Sequence, residues 1–256
     1  MSAMDEDEKP LRDVDALHRR LDRIEALLEP RAVAPAPEPA WKQPTEGEER
    51  WAVTTAILVA IALQLYLPHR LTLQPHWLLP ALELALLAAL YAAHPHRRLD
   101  RTSPLLRTLS LGLVAAMSLA NGWSAAKLVH ELLTVGGSSD PLGLLGTAGA
   151  VWATNVIAFA LWYWEWDRGG PAARALGRKD YPDFLFPQMQ QPGTAPDNWA
   201  PYFVDYLYLA FTNATAFSPT DTMPLTAWTK RLMLLQASIS MVTVLLVVAR
   251  AVNVLQ

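Results

Sequence analysis

Between Trp51 and Leu255 the chain carries long stretches almost free of charge, and this constrains its fold more than any other feature. Charged residues make up 18% of the 256, against about a quarter in an ordinary soluble domain. Most of them gather in the first fifty residues and in two later loops. Apolar runs of this length point to a bilayer, where backbone polar groups must be satisfied internally and helices are the simplest solution. The expected fold is all-α: a polytopic helical membrane protein with four spans followed by a short-helix, turn and long-helix module, five or six spans in all. The four spans run about Trp51 to Leu67, Trp77 to Ala93, Leu105 to Leu133 and Leu142 to Trp164.

The same composition excludes several classes. Net charge is -3, which leaves no basic face for nucleic acid. There is no cysteine, hence no disulfide, thiolate metal site or cysteine nucleophile. No nucleophile–base or metal-ligand spacing stands out, so neither an enzyme nor a cofactor is expected. The first residues are acidic and polar, without the n-region and h-region of a signal peptide, and are expected to be retained in the cytoplasm.

Five regions follow from the pattern. Residues 1–29 include Val14, Leu17, Leu21, Ile24 and Leu28 at heptad spacing, which suits a short oligomerisation coiled coil or an amphipathic helix lying on the membrane. Residues 30–50 form a proline-rich linker, expected to be extended and poorly ordered. Residues 51–168 form the four-span scaffold, 169–199 a polar loop and 200–256 the terminal module. Within the fourth span Gly143, Gly146, Gly149 and Ala150 provide a small-residue face for close helix approach. That span ends in Trp162, Tyr163, Trp164 and Trp166, an expected interfacial anchor, and Gly169-Gly170-Pro171 stops it.

Basic residues set the orientation. Residues 1–50 carry eight Lys/Arg, the next loop on that side has Arg97, Arg98, Arg101 and Arg107, and the third has Arg168, Arg174, Arg178 and Lys179. Among these loops the opposite side has only Arg70. The asymmetry places the N-terminus inside, in the plasma (cytoplasmic) membrane.

Ionisable groups at membrane depth usually face a partner or water. Glu83 and Lys127 each lie about 9 Å inside the outer boundary at the helical rise. An ion pair between them is therefore expected, with Glu131 one turn from Lys127. Such a group either fixes helix register or forms a polar, proton-coupled site.

The terminal module holds most of the remaining signal. Asp205 opens a short segment, 201–217, and a turn rich in oxygen ligands follows: Thr215, Ser218, Thr220 and Asp221, with Pro219 and Pro224 holding it non-helical. Non-helical backbone at membrane depth survives only when buried in protein or lining water. In the long helix beyond, Gln236, Ser240 and Thr243 form a polar stripe, suited either to a pore wall or to a helix–helix seam.

The run from Asp205 to Thr226, followed by Lys230 to Arg250, resembles the pore-helix, filter and inner-helix region of the potassium-channel superfamily. Asp221, Pro224 and Thr226 fall much as residues do just after that family's filter. The chain also resembles an uncharacterised bacterial family of multi-span membrane proteins, in which an Asp-Phe/Tyr-Leu-Tyr segment and a Ser-x-x-Asp-like turn precede a final helix ending near an Asn, here Asn253. The run Thr215 to Asp221 has no glycine and is one residue longer than the channel filter, so potassium selectivity does not carry over. The resemblance implies a homo-oligomer, a tetramer, with Thr215, Ser218, Thr220 and Asp221 as the constriction, Gln236, Ser240 and Thr243 lining the pore, and a monovalent or divalent cation as the permeant partner. A channel-like pore is the leading expectation. A non-conducting scaffold or partner-binding subunit and a proton-coupled transporter are the alternatives. Whether 201–217 is re-entrant or crosses as a sixth span is left open by the charge count.

Overall fold

The computed structural model describes residues 18–24, 39–45, 47–93, 104–134, 141–190, 195–196, 198–215 and 221–255. The chain divides into two units, Met1–Glu38 and Pro39–Gln256. Of the first, residues 18–24 are helical and expose Leu21 and Ile24; the rest of the heptad seam lies outside the described residues.

The second unit is mostly helical, as expected. Helices α1 (Trp51–Tyr66), α2 (Leu78–Ala93), α3 (Pro104–Thr134) and α4 (Pro141–Trp166) alternate in direction. The hydroxyls of Thr54, in the first turn of α1, and Tyr91, in the last turn of α2, are 2.7 Å apart. At the other end Arg70, just past α1, pairs with Glu131 near the end of α3 at 3.2 Å. Three helical segments among the described residues are long and apolar enough to cross a membrane: Pro104–Thr134, Leu142–Gly169 and Ala227–Ala249. Helices α1 and α2 have only 16 residues each, about 24 Å by rise against a hydrocarbon core of about 30 Å.

Local chemistry sets the helix ends. Leu67 is extended (φ -63°, ψ 142°) because it precedes Pro68. Helix α1 buries Val53, Ile57, Ala60, Ile61 and Gln64, one stripe at helical spacing. Helix α4 is the centre of the bundle. Its membrane-length window is 72% buried, against 33% for α3 and 22% for the last helix, and it packs on α1, α3 and both helices of the terminal module. On the small-residue face a Cβ at Gly146 would meet the Tyr66 side-chain hydroxyl at 2.9 Å, while one at Gly149 would meet nothing within 4 Å, so neither glycine brings another helix's backbone into close approach.

Beyond α4 the backbone turns through Arg168, Gly169 and Gly170, all at positive φ. A Cβ at Gly170 would fall 2.8 Å from the Glu165 carbonyl, so only glycine fits there. The terminal module consists of α5 (Phe203–Thr215) and α6 (Ala227–Leu255). A two-stranded antiparallel ladder ties β1 (Phe184–Leu185) to β2 (Met223–Pro224), pairing Phe184 with Pro224 and Leu185 with Met223.

Two expectations change here. The proline-rich linker is not extended throughout: from Pro39 onward it belongs to the second unit. Trp41 lies under the Arg168 guanidinium at 5.3 Å, and the Thr45 amide donates to the Ala175 carbonyl at 2.8 Å. The aromatic end of α4 is not simply an interfacial anchor either. Tyr163 and Trp164 turn inward and are buried, because a Tyr or Trp placed in a core needs a partner for its polar atom and finds one here.

Candidate functional site

Helices α5 and α6 enter the bundle from the same end. The first turn of α5 meets the C-terminal end of α4 (Phe203 to Trp164, ring centroids 6.0 Å), and Phe211 further along reaches back to Trp152 at 5.6 Å. Helix α6 also starts there, with Trp228 against Trp166 at 5.5 Å, and runs back until Ser240 meets Asn155 at 3.0 Å. Both helices therefore run antiparallel to α4 and parallel to each other. The 13 residues of α5 rise only about 20 Å. The described chain goes in along α5 and goes in again along α6, from the same end. Helix α5 is therefore shorter than α4 and α6 and starts at the same end of the bundle as α6.

The start of α5 is held by a residue distant in sequence. Glu48 Oε1 accepts the Phe203 amide at 2.6 Å, capping one of the helix's orphan donors, and its Oε2 accepts the Trp164 indole at 2.7 Å. Burial pushes the Glu48 carboxyl above its ordinary range, while these two donors and the nearby Arg174 pull it back. Asp205 adds a local cap, accepting the Tyr202 amide at 2.8 Å.

Behind this cap lies a fully buried carboxylate. Asp167 Oδ1 accepts the amides of Asp183 (2.9 Å) and Phe184 (3.3 Å), and Oδ2 accepts the Tyr206 hydroxyl at 2.6 Å. Asp183 returns the tie, accepting the Arg168 amide at 2.8 Å and the Trp228 indole at 3.1 Å. The Arg168 guanidinium donates to the Lys179 carbonyl at 2.7 and 3.0 Å and to the Trp41 carbonyl. Arg174 donates to the Asp167 carbonyl at 3.0 Å and lies 5.0 Å from the Tyr206 ring centre. This hub joins the linker, the end of α4, the loop, α5 and the start of α6.

The polar stripe on α6 faces inward. Gln236 is fully buried; its Oε1 accepts the Tyr163 hydroxyl (2.7 Å) and the Asn213 amide (2.8 Å), and its Nε2 donates to the Ala210 carbonyl at 2.8 Å. Ser240 accepts from Asn155 at 3.0 Å, and Thr243 donates to its own Ile239 carbonyl at 2.8 Å. Within one chain these three residues line a seam between α6 and its neighbours rather than a lumen. The outward face of α6 is apolar, with Leu234, Leu235, Met241 and Leu245 exposed.

Of the four expected constriction residues, Asp221 is exposed at the mouth of the turn, and Thr215 donates to the Thr212 carbonyl at 2.8 Å. Ser218 and Thr220 lie outside the described residues. The expected Glu83–Lys127 ion pair is replaced by other partners. Glu83, fully buried, accepts both bonds from the Gln64 amide at 3.1 Å. Lys127 lies over Trp123 at 5.3 Å, and Glu131 pairs with Arg70. Gln64 is on α1, two residues before its end, and α1 meets α2 closely enough to reach Glu83 first.

Sequence reasoning gave Glu48, Asp167, Arg168, Asp183 and Tyr206 no place in a site, and counted Arg168 only towards orientation. A signal was present: charges set directly among aromatics at 164–168 and 183–186 are costly unless paired. Compared with protein-family models, curated proteins and solved structures, the chain matches none.

Proposed function

We propose that this is an integral protein of the cytoplasmic membrane, N-terminus inside, whose subunits assemble so that α5, the turn and α6 form an ion pathway entered from the cytoplasmic end. The observation that carries the reading is that a short helix and a long helix start from the same end of the bundle, and the sequence joining them has two prolines and several oxygen ligands. The constriction is assigned to the turn, to Thr215, Ser218, Thr220 and Asp221, whose oxygens suit a partly dehydrated cation. Gln236 and Ser240 hold the module in place and are not assigned to the wall. The tetramer rests on the resemblance to the potassium-channel superfamily alone.

A second reading is a non-conducting scaffold that keeps the module as a structural element. It is favoured by the bonding of Gln236, whose polar atoms all find partners inside the chain. Currents in planar bilayers from purified protein separate the two. The pathway reading expects unitary currents whose cation selectivity shifts in Asp221→Ala and is unchanged in Gln236→Ala. Silence from folded wild-type protein across voltage, pH and cation type supports the scaffold.

A further inference from the structure

A cavity of about 430 Å³ opens at the linker end of the four-helix scaffold, and its lining residues include none from α5 or α6. Its size is that of a small-molecule site. The walls are apolar: Val53 and Ile57 from α1, Leu87 from α2, Leu113 and Val114 from α3, and Leu161 from α4. The mouth is cationic, lined by Arg50 before α1, Arg107 in the first turn of α3, and Arg178 beyond α4. Glu165, buried at the same mouth, sets one carboxylate among these three arginines.

The vertical order matters. Arg107 and Val114 are seven residues apart on one helix, so roughly 10 Å of apolar wall lies beneath the charge. The arginines stand at helix ends, the level of lipid headgroups, and on the side where basic residues accumulate. A free anion would satisfy the mouth and leave the apolar walls open. A neutral lipid would fill the walls and gain nothing from the arginines. Basic pockets between membrane helices on the cytoplasmic side suit anionic headgroups. We infer that this cavity binds one anionic phospholipid, its phosphate among Arg50, Arg107 and Arg178 and part of an acyl chain between α1, α2, α3 and α4. The inference rests on the membrane location and not on whether the module conducts.

The test is native mass spectrometry of the full chain released from detergent, with phosphatidylglycerol and phosphatidylcholine of identical acyl chains competing at equal concentration. Phosphatidylglycerol is expected to be retained at least about tenfold better. Arg107→Gln and Arg178→Gln should each lower that preference about fivefold, and Arg107→Lys should largely keep it. Val114→Phe, which fills the cavity, should reduce retention of both lipids. Lipid-free thermal stability, measured beside each variant, separates the loss of contacts these arginines make within the chain from the loss of lipid; Arg107→Lys carries the comparison if Arg107→Gln does not fold. Equal retention of the two lipids, or a preference untouched by the arginine substitutions, overturns the proposal. So does displacement of phosphatidylglycerol by millimolar inorganic phosphate, which would identify a plain phosphate site.

Discussion

Glu48 belongs to none of the bundle's helices yet bonds to two of them. One oxygen holds the first amide of α5 and the other the indole at the end of α4. Burial raises its carboxyl above the ordinary value, so the folded protein binds this proton more tightly than the unfolded chain does. The stability this group contributes is complete below the unfolded value of about 4.3 and is lost as pH rises through the folded one. Glu48→Gln should flatten the pH dependence of thermal unfolding in detergent from about pH 4 upward. It should also lower stability by about 1–2 kcal/mol, because an amide accepts at one atom where two donors now converge. A pH profile unchanged by the substitution would show that Glu48 is not the titrating group. The pairing itself could not be read in the sequence, since 155 residues separate Glu48 from Phe203 and no local pattern joins them.

At the scale of elements, the long helix shows how far periodicity can be followed. The spacing of Gln236, Ser240 and Thr243 defines a polar face, and the structure has that face. The sequence cannot say what the face meets. A stripe that lines water and one that bonds to Asn155, Tyr163 and Asn213 look the same along α6 alone; the difference lies in polar residues on α4 and α5. Gln236→Leu would leave the Ala210 carbonyl, the Tyr163 hydroxyl and the Asn213 amide each short of a partner. It should destabilise the protein by roughly 2–3 kcal/mol, read as a lower unfolding midpoint in detergent. Gln236→Glu, which keeps an acceptor oxygen for Tyr163 and Asn213, should cost less for those two while losing the donor to Ala210. Equal midpoints for wild type and Gln236→Leu would mean that the seam does not hold the module. The β1–β2 ladder was hidden for a similar reason: two residues per strand are too few to show alternation.

At the scale of the molecule, the all-helical architecture and four of the helix positions were legible in the apolar runs, to within a residue or two at most ends. The hub was not, because its members come from the linker, the end of α4, the loop, α5 and α6, and only folding brings them together. The linker was misjudged at its second half: five prolines suggested an extended chain, but Trp41 and Glu48 find buried partners and draw it onto the bundle. The central claim is the course of the terminal module, in from one end and back to it. The chain has no cysteine, so single cysteines can be placed without background. Tyr202→Cys precedes α5, Asp221→Cys follows the return, and Leu133→Cys marks the opposite end of the scaffold; all three positions are exposed. Each would be labelled with a membrane-impermeant maleimide in intact cells and in inverted vesicles. The account predicts that positions 202 and 221 label together, in inverted vesicles only, and that position 133 labels in intact cells. Labelling of position 221 from the same side as 133 would contradict it, and α5 would then be a full crossing.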